Sequence, residues 1–169
     1  MTTARAAGAW RIALLGIVAL AAAVVCAGAQ ETVTISVPLA VSFPVTDVSR
    51  STSGAPNVTT VSFSNANLSP GKALRVSVQA DAAAFTPQSG SSMPASNVSW
   101  NKVGESGGIG SDGTLGSSSF ARVFQSNPLA APGTSGHVDL SWTLAAPGSG
   151  IRAGNHQLTI RWKVESIAP

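Results

Sequence analysis

Three segments of this chain alternate strictly between apolar and polar residues, and this period of two is the feature that most constrains the fold. The segments are 74–80 (LRVSVQA), 138–144 (VDLSWTL) and 158–164 (LTIRWKV). Successive side chains of a β-strand point to opposite faces, so each segment has one apolar face and one polar face. The apolar faces need a second layer to cover them, which predicts sheets packed against one another.

Turn-forming residues separate these strands from several weaker ones. Clusters of Gly, Pro, Ser and Asn set special backbone angles or compete for backbone hydrogen bonds, and they mark connections at 51–56, 69–71, 89–94, 104–116 and 146–154. No segment shows a convincing helical period, and the Ala-rich 80–84 is too short for a stable helix. The weaker strands are predicted at 33–37, 39–43, 58–63, 98–100 and 119–124, with a further short candidate at 82–85.

Together these patterns predict an all-β fold. We expect an antiparallel β-sandwich of about seven to nine strands, immunoglobulin-like or jelly-roll-like in arrangement. The long glycine-rich stretch 104–116 is expected to be a mobile loop between two of its strands, either flexible filler or a binding loop.

The first 29 residues follow the charged, apolar and small-residue order that the secretion machinery reads. Arg5 and Arg11 precede an unbroken apolar run at 12–26, and the run ends in Ala-Gly-Ala at 27–29. This order predicts a signal peptide at 1–29, cleaved between Ala29 and Gln30. The remaining residues 30–169 are then one β-sandwich domain that is secreted, extracellular or held in the cell envelope.

Two other fates of the N-terminal segment remain open. Cys26 would become a lipid-modified N-terminus if the segment were a lipoprotein signal, although Val25 is bulky where a small residue is expected. The apolar stretch 12–29 would also serve as an uncleaved anchor, since its length is close to the lower limit of ~17 residues for spanning a bilayer.

The charge of the chain limits its possible partners, and its cysteine content limits its possible disulfides. The chain has 10 Lys and Arg against 7 Asp and Glu, but two of the basic residues lie in the signal, which leaves a net charge of +1 on residues 30–169. No basic cluster remains there, so we expect no nucleic-acid partner. Cys26 is the only cysteine, so the processed chain forms no disulfide, which a domain of this size does not need.

No motif or spacing indicates a catalytic or metal-binding set, so we expect a non-enzymatic protein without a cofactor. The two histidines are His137 and His156. A hairpin around Gly148 would place them ~13 Å apart, too far to share a metal ion. Ser111-Asp112-Gly113 is similar to part of a calcium loop, but one Asp is first of all a turn residue. A hydrolase would need two of the scattered carboxylates brought face to face by folding.

Trp100, Trp142 and Trp162 admit two interpretations. Trp142 and Trp162 share the alternation phase of their apolar neighbours, and Trp100 lies in a weaker strand of the same kind. In the first interpretation all three fill the core of the sandwich. In the second, one or more lie exposed as a flat platform on which a sugar ring stacks.

The C-terminal third of the chain resembles the distal motif of WxL-type cell-wall-binding surface domains. Residues 140–147 (LSWTLAAP) are similar to that motif, roughly Leu-Thr-Trp-x-Leu followed by Pro, and 153–169 match its C-terminal placement. WxL-type domains are exported β-rich modules that attach non-covalently to peptidoglycan. The resemblance implies a surface site for carbohydrate, with Trp142, Leu144 and Trp162 as its candidate residues.

The expected function follows from export, fold and the missing catalytic set. We expect an exported, non-enzymatic protein of the bacterial cell surface or envelope, acting as a cell-wall-associated, adhesive or binding module. Its expected partners are a cell-wall polymer, a carbohydrate or other surface proteins, with no membrane contact after cleavage. One alternative is a structural subunit of a pilus or coat-like assembly, because weakly charged sandwiches can add strands between subunits. The other is a small secreted hydrolase.

Overall fold

Two antiparallel sheets packed face to face form the computed structural model, which describes residues 22–26, 31–86, 91–152 and 154–168. A single-turn 3₁₀ helix, Ala95–Asn97, precedes the sixth strand. In chain order the strands of the described residues are β1 (Ala22–Cys26), β2 (Glu31–Ser36), β3 (Thr52–Ser53), β4 (Thr59–Asn67), β5 (Ala73–Ala80), β6 (Val98–Ser106), β7 (Gly108–Gly110), β8 (Gly113–Thr114), β9 (Ala121–Ser126), β10 (Thr134–Leu144) and β11 (Ile160–Ile167).

The strands are divided between the sheets in a mixed order along the chain. The first sheet runs β1-β2-β4-β10-β6-β8, with β3 paired to the end of β10, and the second runs β11-β5-β9-β7. Sequential strands often lie in different sheets, as expected when connections cross from layer to layer in a sandwich. The predicted all-β, antiparallel sandwich is confirmed.

The core lies between the two sheets because the alternating strands turn their apolar residues inward. On β10 every second side chain from Val138 to Leu144 is at most 2% exposed, and Leu74, Val76 and Val78 on β5 are at most 1% exposed. Phe63 of the first sheet meets Phe124 of the second, with ring centroids 5.9 Å apart. The period of two therefore predicts correctly which side chains are buried.

The three strongest predicted strands are confirmed as β5, β10 and β11. Two weak predictions, at 39–43 and 82–85, are wrong, because each contains only an isolated bridge, from Ser42 to Ala55 and from Ala84 to Pro94. Pro38 and Pro44 flank the first of these segments, and proline cannot donate a hydrogen bond to a ladder.

The glycine-rich stretch 104–116 is not a loop, contrary to expectation. It contains the end of β6 and the whole of β7 and β8, and Gly107 makes the turn between β6 and β7 at a φ of 73°. The Glu105 carboxylate accepts a hydrogen bond from the backbone N–H of Gly110 and lies 2.9 Å from Lys102 Nζ. Glycine here permits close packing of strands and so does not mark flexibility.

The hairpin around Gly148 that was considered for the two histidines does not form. β10 lies in the first sheet and pairs with β3, β4 and β6, whereas β11 lies in the second sheet and pairs with β5. Residues 145–159 therefore cross from one layer to the other, which a local reading of two alternating segments cannot detect.

Candidate functional site

A cavity of about 310 Å³ lies at the end of the sandwich where β10 stops and β11 begins. Three connections that are far apart in the chain form its walls. Ser42 to Val48 come from the connection between β2 and β3, Phe85 and Met93 from the one between β5 and β6, and Pro147 to His156 from the crossing between the sheets. We call this cavity the end pocket.

Backbone hydrogen bonds hold the three walls of the end pocket together. The N–H of Gly148 donates to the carbonyl of Val48 at 2.9 Å, which joins the first wall to the third. Thr86 and Gln157 exchange two backbone hydrogen bonds, of 2.8 and 3.2 Å, which join the second wall to the third. The pocket is therefore preformed by paired backbone, as is usual for small-molecule sites.

Most of the lining is apolar, and part of it belongs to the core. Leu144, Phe85 and Met93 are 2–4% exposed, so the base of the pocket is continuous with the inter-sheet packing. The volume lies at the lower end of the range of about 300–1,000 Å³ for small-molecule sites. The apolar lining consists of Phe43, Val45, Val48, Phe85, Met93, Leu144, Pro147 and Ile151.

Arg152 and His156 also line the end pocket, beside these apolar residues. Arg152 is exposed, and its guanidinium has no ion-pair partner within the part of the chain that the structure describes. Nε2 of His156 lies 2.9 Å from the Arg152 carbonyl oxygen, which can only accept, so this ring nitrogen donates. Nδ1 of His156 is buried and lacks a hydrogen-bond partner among the described residues.

Trp142 and Trp162 are core residues and do not form a surface platform. They are 0% and 1% exposed, so neither offers the open indole face that sugar stacking requires. Trp100, 1% exposed, packs on Trp142 with ring centroids 5.4 Å apart. Of the three residues that the WxL-type resemblance suggested, Trp142, Leu144 and Trp162, only Leu144 lines the end pocket, where it contributes to the base.

Each of the seven carboxylates forms an ion pair or a hydrogen bond with another residue, and none lines the end pocket. Hydrogen bonds from the Ser69 hydroxyl and N–H, together with Lys72, lower the pKa of Glu31 to about 2. The Gly110 N–H and Lys102 lower the pKa of Glu105. The pairs are Glu31 with Lys72, Asp47 with Arg50, Asp81 with Arg161, Glu105 with Lys102, Asp112 with the Lys102 N–H, Asp139 with Thr60, and Glu165 with Lys163.

The histidines and the suspected calcium loop lie in separate places. His137, on β10, is 3.9 Å from Asp139, whereas His156 lies at the end pocket. Asp112 accepts a hydrogen bond from the backbone N–H of Lys102 at 2.7 Å. Among the residues that the structure describes, no three His, Cys, Asp or Glu side chains are grouped as metal ligands would be.

The end pocket itself was not predicted from the sequence. No sequence motif contains Arg152 or marks His156 as a site residue. No local signal identifies such residues, because the walls come from segments up to 114 positions apart.

The predicted cleavage residues, Ala29 and Gln30, lie outside the described ranges.

Comparison with protein-family models, curated proteins and solved structures found no match for this chain. Within the described ranges, no helix has the length and apolar character needed to cross a bilayer. A function for the chain must therefore be argued from the geometry and chemistry of the end pocket.

Proposed function

We propose that this chain is an exported, non-enzymatic binding module of the bacterial cell surface or envelope, and that the end pocket is its ligand site. The observation that carries the proposal is a preformed apolar cavity whose lining includes Arg152, a residue without an ion-pair partner among the described residues. Rigid sandwiches commonly carry their binding sites on the connections at one end. The export-type N-terminus supports the location.

The lining indicates the kind of ligand. An apolar group of modest size would bury itself against Leu144, Phe85 and Met93. A carboxylate or phosphate on that group would meet Arg152, which is exposed and uncompensated. The ligand class is therefore an apolar group that carries an anionic end.

Peptidoglycan is the first polymer to test, because the C-terminal third resembles WxL-type domains. Its peptide stems combine alkyl side chains and carboxylates, which are the two features that the lining can bind. The absence of any carboxylate among the lining residues supports binding in preference to hydrolysis.

A sedimentation assay with envelope fractions and purified peptidoglycan tests the proposal. Val48 lines the pocket at 38% exposure, so Val48→Trp should obstruct its mouth and reduce the bound fraction at least tenfold. Val103 lies on β6, outside the pocket lining, at 57% exposure, so Val103→Trp is the matched control and should bind like the natural chain. Equal binding by both variants, or no binding by the natural chain, would refute the proposal.

A structural subunit of a pilus or coat-like assembly is the second candidate function. The border strand β11 favours it, and so would β2 once cleavage had removed β1, because border strands can pair with another chain. Electron microscopy of the cell surface distinguishes the candidates. A subunit should be found in regular polymers, whereas a binding module should be distributed over the envelope without forming them.

A further inference from the structure

β11 is a border strand of the second sheet, and β2 would be a border strand of the first sheet without β1; the two differ in how they are protected. β11 carries Arg161, Lys163 and Glu165 at alternate positions facing away from the core. Charged side chains on a border strand oppose pairing with another chain. β2 carries only the neutral Thr32, Thr34 and Ser36 on the corresponding face, and it contains no proline and no glycine. By composition, β2 is an unprotected edge.

In the structure another strand covers this edge. β1 pairs with β2 in antiparallel register, from Ala22 opposite Ile35 to Cys26 opposite Glu31. The pairing spans five of the six residues of β2. All of β1 lies within the predicted signal peptide, so cleavage after Ala29 removes the cover.

Loss of β1 leaves the rest of the sandwich in place. β2 keeps its pairing with β4 on the other side, from Thr32 opposite Asn67 to Ser36 opposite Ser62. Val33 and Ile35 remain packed in the core cluster. The row of N–H and C=O groups that β1 had engaged then faces solvent, which is the template for strand addition.

We propose that β2 is a strand-accepting edge, which residues 22–26 cover in the unprocessed chain and which a second copy occupies after cleavage. The second copy adds its own β2 in antiparallel orientation. Association is therefore coupled to removal of the signal peptide, because β2 has a free edge only in the processed chain. The proposal rests on the cleavage assumed in the proposed function and is independent of the end pocket.

One register of this pairing fits both faces of the sheet. With Thr34 opposite Thr34 of the second copy, Val33 lies opposite Ile35 and Thr32 lies opposite Ser36. Residues two apart share a face, so apolar side chains meet on the core side and hydroxyls on the other. Glu31 then lies opposite position 37 and not opposite another Glu31, which avoids a like-charge pair. The two first sheets become continuous across a two-fold axis.

Analytical ultracentrifugation of two forms tests the proposal, one beginning at Ala22 and one at Gln30. Both are measured in reductant because the longer form contains Cys26. Matching circular dichroism and tryptophan emission verify that both have folded. The form beginning at Gln30 should reach twice the monomer mass as its concentration rises, and the form beginning at Ala22 should stay monomeric. Equal masses for the two forms would overturn the proposal.

Two lysine variants of the shorter form locate the interface. Thr34→Lys places a charge at the centre of the proposed pairing and should restore the monomer. Thr114→Lys places the same charge on β8, at the opposite border of the same sheet, and should still dimerise. A dimer that survives Thr34→Lys would overturn the proposal. Envelope binding by the same proteins is measured separately, so failure of the end-pocket function would leave this result unaffected.

Discussion

The indole N–H of Trp142 donates a 2.8 Å hydrogen bond to the hydroxyl of Thr59, a residue 83 positions earlier in the chain. Both residues are buried, at 0% and 7% exposure. The bond satisfies the polar end of a large side chain in the middle of the first sheet. Trp162, in the second sheet, has no such partner among the described residues, and its indole N–H is buried without one.

Replacing Thr59 should therefore destabilise the fold through a single hydrogen bond. Thr59→Val keeps the shape but leaves the indole N–H of Trp142 unsatisfied, which should lower the free energy of unfolding by about 1–3 kcal/mol. Thr59→Ser keeps the hydroxyl and should cost less. Urea unfolding followed by tryptophan emission measures both. A Val variant as stable as the Ser variant would show that the bond contributes little.

The stability of the protein should depend on Glu31 at acid pH. The pKa of this carboxyl is about 2 in the folded chain against an ordinary value of 4.5. Because the folded pKa is lowered, the stabilisation is present above about pH 4.5 and is lost as the pH falls towards 2. The difference between a pKa of 4.5 and one of about 2 corresponds to about 3 kcal/mol of folding free energy at neutral pH, because one pKa unit is worth about 1.4 kcal/mol.

Glu31→Gln removes the titrating group and provides the measurement. At pH 7 the variant should unfold at a lower urea concentration than the natural chain. The difference should shrink between pH 4.5 and pH 2, because the natural carboxyl then becomes protonated as well. A constant difference over this range would mean that Glu31 acts by packing and not by charge.

Glycine at position 113 should be required by the Trp100 ring. A Cβ at Gly113 would lie 2.8 Å from Cη2 of that indole, well inside van der Waals contact. Gly113→Ala should therefore displace β8 or the ring and cost about 1–3 kcal/mol. A Cβ at Gly116 would have no neighbouring atom of the described residues within 4 Å. Gly116→Ala should therefore change the free energy of unfolding by no more than about 0.5 kcal/mol. Thermal unfolding of the two variants tests the difference, and equal melting temperatures would contradict it.

Arg152 should affect ligand binding and leave folding unchanged. It has no ion-pair partner among the described residues, so Arg152→Gln should leave the unfolding free energy within about 0.5 kcal/mol of the natural value. Envelope binding should weaken about 10- to 100-fold and lose part of its salt dependence, because one charge-assisted contact is worth roughly 1.5–3 kcal/mol. Arg122, an exposed cation on β9, supplies the control, since Arg122→Gln should bind normally if the pocket and not overall charge is responsible.

The alternation of residues 74–80 and 138–144 was sufficient to predict two central strands and the side chains that they bury. Period-two patterns work because burial on one face of a strand is a local property of the chain. The same reasoning misread 104–116, since glycine allows tight packing as readily as flexibility. The close packing around Gly107, Gly108, Gly110 and Gly113 distinguishes the two roles, and it is visible only in the tertiary structure.

The sequence by itself determined the all-β class and the inward faces of the alternating strands, because these depend on residue order over short distances. Tertiary structure decided which strands pair, that β10 and β11 lie in different sheets, and that Trp100, Trp142 and Trp162 are core residues. It also created the end pocket by joining Val48, Met93 and His156 from three separate connections. Such a cavity depends on how chain crossings meet at the end of a sandwich, which no local pattern of residues encodes.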